Sequence, residues 1–329
     1  MRWSQKGLLF TVLAIASTLF LLRPASGQAQ GITLKHVPYE LIPPSGTVEI
    51  TWEENIQATL YYGPAPGVHS SHLDINGRKS LRFSPQDVGL QPGVYFCVIS
   101  NGLLQSSEFQ LIIENQNAPA MRAPANNSQV ETVLPEFRWD PVPGVPYYHI
   151  VVSDQEAHII EDPATGDLRL VGANIVWQAI TPNTSIRYGD PDPSQQFSRF
   201  NQLSPPLASG KTYNWAVLNN YGNHPALSSI VQAGLFGFTT QFSTSLQKPT
   251  LGSPAADAHL TDRNVTFTWQ TVPNAHHYAL YLFEFLEEET SESSYPVYRA
   301  VTTGTSVELD ARSLLKAGQY VWEVLAFDD

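Results

Sequence analysis

The sequence predicts an all-β chain of three tandem β-sandwiches behind a short N-terminal export segment. Three observations carry that expectation. A strand–turn–strand stretch occurs twice, 130 positions apart: Phe137-Arg-Trp139-Asp-Pro-Val142-Pro143 leading to Tyr148-His-Ile150-Val-Val152, and Phe267-Thr-Trp269-Gln-Thr-Val272-Pro273 leading to Tyr278-Ala-Leu280-Tyr-Leu282. In the first copy Phe137 and Trp139, and then Tyr148, Ile150 and Val152, recur with period two, so they share one face of a sheet. Charged residues make up only 15% of the chain against 25 prolines and 21 glycines, the balance of many short strands and turns.

The N-terminus reads as a signal peptide over residues 1–27. Arg2 and Lys6 form a positive start, and Gly7 to Leu22 is an uncharged, mostly apolar run too short for a comfortable membrane span. Ala25-Ser26-Gly27 supplies small residues for cleavage after Gly27, with cleavage after Ala29 as the alternative. Removing residues 1–27 takes away Arg2, Lys6 and Arg23, so 18 basic residues become 15 against 30 acidic ones, a formal net charge of −15. Such a chain repels nucleic acid and anionic lipid, and both are discounted as partners. No later apolar run is long enough to span a bilayer. A single cysteine, Cys97, excludes an internal disulfide framework, which fits bacterial export.

In chain order, domain 1 (28–115) holds Val48-Glu-Ile50-Thr-Trp52, Ala58-Thr-Leu60-Tyr-Tyr62, Val94-Tyr95-Phe-Cys97-Val-Ile99 and Phe109-Gln-Leu-Ile-Ile113 as strand candidates. Domain 2 (116–246) and domain 3 (247–329) align at an offset of 130, which falls to 121 at Val176-Trp177 against Val297-Tyr298 and to 107 at Trp215 against Trp322. Domain 2 therefore carries insertions of 9 residues between Asp154 and Ile175 and of 14 residues between Tyr188 and Gly210. Trp139 with Trp215, and Trp269 with Trp322, are the expected buried anchors. Domains 1 and 2 each supply one more strand after the late aromatic strand, Glu108 to Ile113 and Gly234 to Phe242. Domain 3 shows none, so its sandwich is expected to lack its last strand and to leave a sheet edge open. The plainer reading is a fragment of a longer protein; the other is a partner that donates the strand.

Leu207-Ala-Ser-Gly210 before Tyr213-Asn-Trp215, Leu315-Lys-Ala-Gly318 before Tyr320-Val-Trp322, and Leu90-Gln-Pro92-Gly93 before Tyr95 resemble the tyrosine corner of the fibronectin type III family. With Trp on an early strand, the resemblance covers nearly all of the mature chain and implies immunoglobulin-like sandwiches. Trp52 and the Tyr-Tyr-Gly run at Tyr61 are also similar to the fibronectin-type domain that precedes catalysis in some phosphoesterases. The fold it implies hosts unrelated roles, so function must be argued from sites.

The candidate sites are few. The insertion loops carry Asp154, Glu156, Glu161, Asp162, Asp167, Asp190 and Asp192 and are expected to brace the junction of domains 2 and 3. Calcium could be held there, but no Asp-x-Asp-x-Asp-Gly loop is present, so a solvated acidic surface is preferred and no metal is assigned. The connection Asn219 to Ser229 offers Tyr221 and His224 as ligand contacts, and Trp177 is a third candidate, each through aromatic stacking on glycan. A plain loop is the competing reading. His69, His72 and Asp74 fall short of a metal-ligand spacing and read as a polar turn. Cys97 takes a core position and is expected to be inert. The sequence contains no Gly-x-Ser-x-Gly elbow, His-Glu-x-x-His or phosphate-binding glycine loop, so no catalytic residue and no cofactor is assigned.

These readings add up to a non-catalytic, exported array that binds protein or glycan, adheres, or acts as a scaffold in the periplasm or at a cell surface. The alternatives are the accessory region of a secreted hydrolase, which a downstream catalytic domain would reveal, and a carbohydrate-binding module, which needs an exposed aromatic platform near Trp177 or Tyr221.

Overall fold

The computed structural model describes residues 31–155, 158–161, 168–171, 174–189, 207–222, 224–229, 234–241, 246–286, 291–311 and 315–328. The export segment 1–27 lies outside them, as do Glu156, Asp162, Asp167, Asp190 and Asp192. No described helix is long and apolar enough to cross a membrane.

Among the described residues domain 1 carries β1 (Leu34–His36), β2 (Leu41–Ile42), β3 (Val48–Trp52), β4 (Gln57–Gly63), β5 (Ser71–His72), β6 (Gly77–Arg78), β7 (Ser80–Phe83), β8 (Gly93–Ser100) and β9 (Phe109–Ile113). One sheet runs β1-β3-β7; the other runs β2-β9-β8-β4-β5, with β6 on β4. Every strand has one apolar face, and burying it requires the opposite sheet. Ile50 and Trp52 of β3 therefore meet Leu60 of β4, Cys97 and Ile99 of β8, and Leu111 of β9 in one core. Cys97 is fully buried there, and burial pushes its thiol up to about 12, so it stays a protonated, inert group.

Domain 2 follows with β10 (Met121–Ala123), β11 (Ser128–Val130), β12 (Glu136–Trp139), β13 (Tyr147–Ser153), β14 (His158–Glu161), β15 (Leu168–Val171), β16 (Ile175–Thr181), β17 (Ser185–Arg187), β18 (Thr212–Asn220), β19 (Ser228–Ser229) and β20 (Phe236–Thr240). The sheet β10-β12-β17 faces β11-β20-β18-β13-β16. The first insertion folds as the antiparallel hairpin β14–β15, from His158↔Val171 to Glu161↔Leu168. Domain 3 has β21 (Leu251–Ser253), β22 (Asn264–Trp269), β23 (His277–Leu286), β24 (Ser291–Thr302), β25 (Ser306–Asp310) and β26 (Gln319–Phe327), arranged as β21-β22-β25 facing β24-β23-β26. Among the described residues β26 pairs with β23 alone.

The repeated stretch has a common local cause. Val142 N–H donates to Tyr148 Oη at 2.9 Å, and Val272 N–H donates to Tyr278 Oη at 2.9 Å. In each copy the tyrosine satisfies a buried turn amide and packs at a steep angle against the preceding indole, with ring centroids 5.5 Å apart for Trp139–Tyr148 and 5.7 Å for Trp269–Tyr278. The turn needs a positive φ, met by Gly144 (76°) and by Asn274 (66°), two residue types that tolerate it.

The tyrosine corners form in all three domains. Tyr95 Oη donates to Gln91 O at 2.7 Å and Tyr320 Oη to Lys316 O at 2.8 Å, while Ala208 N–H donates to Tyr213 Oη at 3.0 Å. One expectation is corrected. Trp139, Trp215 and Trp269 are buried anchors, but Trp322 is only half-buried, since among the described residues no strand covers its side of β26.

Candidate functional site at the domain junctions

The linker between domains 1 and 2 is polar in sequence, yet Glu114 and Asn115 are each only 7% exposed. Buried backbone and carboxylate groups need partners, and domain 2 supplies them. Asn219, near the end of β18, donates from Nδ2 to Asn117 O at 2.8 Å and to Asn115 O at 3.3 Å. Asn115 N–H donates to Tyr221 Oη, and Asn115 Nδ2 to Pro143 O at 2.9 Å. Ser229 Oγ donates to Glu114 Oε2 at 2.7 Å, and Gln116 Nε2 to Glu114 Oε1 at 2.9 Å. Burial pushes the Tyr221 phenol up to about 12, which keeps it neutral. Gly144 lies so close to domain 1 that an added Cβ would stand 2.1 Å from Pro92 O. Its counterpart Asn274 carries a full side chain because that turn is exposed.

A buried polar seam continues from this clasp along β19 and β18. His149 is 6% exposed; its Nε2 donates to Gln178 Oε1 at 3.0 Å, which leaves Nδ1 to accept from Ser228 Oγ at 2.9 Å. Asn220 Nδ2 donates to Ser228 Oγ at 2.9 Å and to His224 O at 2.8 Å. Ser228, His149 and Gln178 thus have the connectivity of a nucleophile, a base and an orienting group. Burial pushes His149 down to about 4, which keeps the imidazole neutral. The trio holds the Asn219–Ser229 connection against the sheet.

The junction of domains 2 and 3 is apolar. Strand β23 is buried continuously from Tyr278 to Phe283, the signature of a strand covered on both faces. Leu280 and Leu282 face the core of domain 3. Ala279, Tyr281 and Phe283, with Phe327 of β26, join the core of domain 2 beside Trp177 and Tyr188. Arg299, in register with Tyr281, donates from Nη1 to Tyr188 O at 2.9 Å, and burial lowers its guanidinium to about 10. Among the described residues no group hydrogen-bonds the buried Tyr281 Oη, and burial raises its pKa. Removing an unpaired buried hydroxyl relieves a desolvation cost of about 1–3 kcal/mol. Tyr281→Phe is therefore expected to leave the fold intact and to raise the urea midpoint of domains 2 and 3.

The structure does not gather the three predicted contact residues into one surface. Trp177 is 2% exposed and sits between Phe137 and Tyr188 in the core of domain 2, with ring centroids 5.9 and 5.2 Å away. Tyr221 is 3% exposed and faces the linker. Neither offers a ring face to glycan, which corrects the expectation of an aromatic platform there. His224 is exposed, with Nδ1 accepting from Ala226 N–H at 3.1 Å. Of the acidic residues in the insertions, Asp154 pairs with Lys211 Nζ at 2.6 Å and accepts from Asn174 Nδ2 at 2.6 Å. His69 Nε2 meets Glu108 Oε2 at 2.8 Å, apart from His72 and Asp74, as suits a polar turn. Among the described residues no group of three or more His, Cys, Asp or Glu is placed to hold a metal. A shallow groove in domain 3 spends its polar groups on one another, Arg263 on Asp310 at 2.8 Å and Asn264 on Glu308 at 2.7 Å.

The residues that sequence reasoning missed are Glu114, Asn115, Asn219 and Ser229, whose partners lie more than 100 positions away. Comparison with known proteins adds little. No family model matches the chain, and no curated protein matches it. Among solved structures, the FN1–FN3 domains of chicken CNTN1 align at 15% identity over 91% of this chain and 92% of that one, with a TM-score of 0.22. A TM-score so low carries no argument. The assignment of tandem β-sandwiches stands on the paired sheets, and each sandwich carries a late-strand tyrosine bonded to the backbone four or five residues upstream.

Proposed function

We propose that this chain is an exported, non-catalytic scaffold that holds binding surfaces at fixed spacing in the periplasm or at a cell surface. The observation that carries the reading is that both junctions are built. A linker whose backbone is bound by Asn219 and Tyr221, and a β23 buried on both faces, hold three sandwiches as one body. Independent binding modules on a flexible tether would need neither. The formal charge of −15 after loss of residues 1–27 favours solubility and a protein or glycan partner over nucleic acid or anionic lipid.

Gly144→Asn tests the reading. Asparagine tolerates the turn, as Asn274 does at φ 66°, but its side chain has no room beside Pro92. Small-angle X-ray scattering of the mature chain is expected to fit one rigid particle for the wild type and a swinging domain 1 for the variant. Matching flexible profiles from both chains would refute the rigid scaffold.

A further inference from the structure

The polar seam beside the first junction joins a titratable side chain in the sheet of domain 2 to the bonds that hold domain 1. His149 stands on β13 with both ring nitrogens used, Nε2 donating to Gln178 Oε1 at 3.0 Å and Nδ1 accepting from Ser228 Oγ at 2.9 Å. Ser228 Oγ also accepts from Asn220 Nδ2 at 2.9 Å. One residue further on, Ser229 Oγ donates to Glu114 Oε2 of the linker at 2.7 Å. At the other end of the same connection, Tyr221 Oη accepts from Asn115 N–H. Between these ends the connection closes on itself: Tyr221 N–H donates to Leu227 O and Leu227 N–H to His224 O, each at 3.0 Å.

This arrangement suits a neutral imidazole. A protonated ring donates from both nitrogens. Nδ1 then turns from acceptor to donor, and the Ser228 hydroxyl loses the group to which it donates. The charge would also be buried, and a buried charge needs a partner of opposite sign. The side chains around the ring supply none: Gln178 on β16, Asn220 on β18 and Ser228 on β19 are all neutral. His224, the ionisable group of the covering connection, opposes a second positive charge. Tyr221 is kept neutral by burial, and Glu114 of the linker is engaged by Ser229 and Gln116. β13 is fixed in register between β16 and β18, so the connection is the part that can move to let water reach the ring.

We propose that this seam is an acid-operated latch: protonation of His149 lifts the connection 221–229 from the sheet and so breaks the two bonds, Tyr221 to Asn115 and Ser229 to Glu114, that it contributes to the clasp on domain 1. Asn219 lies within β18, in register with Tyr148, and keeps its bonds to Asn115 O and Asn117 O. Domain 1 stays tethered but gains freedom to swing. The sign follows from burial. The closed seam holds His149 at about 4, and an opened connection returns it towards 6.5. Opening therefore takes up a proton between these values and is favoured as pH falls through them. The latch rests on the rigid scaffold proposed above, since it needs a junction that is closed at neutral pH.

Hydrogen–deuterium exchange and small-angle scattering of the mature chain at pH 7.5 and pH 4.5 test it. Protection factors, each taken against the intrinsic rate at that pH, should fall on the order of fiftyfold at the Tyr221, Leu227 and Asn115 amides and by less than about threefold along β13 and β16. The scattering profile should pass from one rigid particle to one with a swinging domain 1, and return on neutralisation. His149→Gln should stay protected and rigid at pH 4.5, whereas Glu114→Gln should keep the acid response. The proposal is overturned if the wild type stays protected and rigid at pH 4.5, if His149→Gln opens equally, or if Glu114→Gln abolishes the response. Loss of protection along β13 and β16 together with the connection would also overturn it, since domain 2 would then be unfolding. A wild-type chain that already swings at pH 7.5 would refute the rigid scaffold and the latch with it.

Discussion

Trp215→Ala is expected to cost domain 2 about 3–5 kcal/mol, because it leaves an indole-sized void in a fully buried position of that core. Trp215 is fully buried, 5.0 Å from the ring of Phe137 and 6.0 Å from Phe236. A domain of this size has a total stability of about 5–15 kcal/mol, so the variant should sit near its unfolding threshold at 25 °C. The matched substitution Trp322→Ala should cost roughly half as much, since a half-buried indole surrenders less apolar area. Urea titrations of the two variants provide the check. Equal losses would mean that the side of β26 is covered after all.

Acidification from pH 7 to pH 4 is expected to remove about 3 kcal/mol through His149 alone. Burial holds its folded pKa at about 4, against 6.5 for the free side chain, with Gln178 opposing the shift and His224 adding to it. Between those values the unfolded chain takes up a proton that the folded chain refuses. Stability is therefore complete above about pH 6.5 and is lost as pH falls towards 4. Carboxylates also titrate in this window, so the quantity to measure is the difference between wild type and His149→Gln. Glutamine can still bond Ser228 but carries no titrating proton. The stability gap between the two chains should shrink or reverse from pH 7 to pH 4.5; a gap independent of pH would show that His149 is not held neutral by burial.

Much of the fold was legible from local chemistry. The 130-residue repeat marks a strand pair whose turn is locked by Tyr148 or Tyr278 within six residues, and the tyrosine corners close over four or five. The junctions could not be read this way. Asn219 and Tyr221 look like exposed loop residues until the linker arrives from 100 positions earlier to take up their hydrogen bonds. The run Tyr278-Ala-Leu-Tyr-Leu-Phe283 did carry a signal, continuous where a one-sided strand would alternate. Trp177 misled because a tryptophan on the edge strand β16 can face either way, and the core of domain 2 takes it.

Scanning calorimetry of the mature chain tests most directly whether the three sandwiches act as one built body. Tyr281, Phe283 and Phe327 belong to the same apolar cluster as Trp177 and Trp215, so domains 2 and 3 should melt in a single transition with equal calorimetric and van't Hoff enthalpies. Three separate transitions, each sized for one sandwich, would contradict the account and return the chain to independent modules on a string.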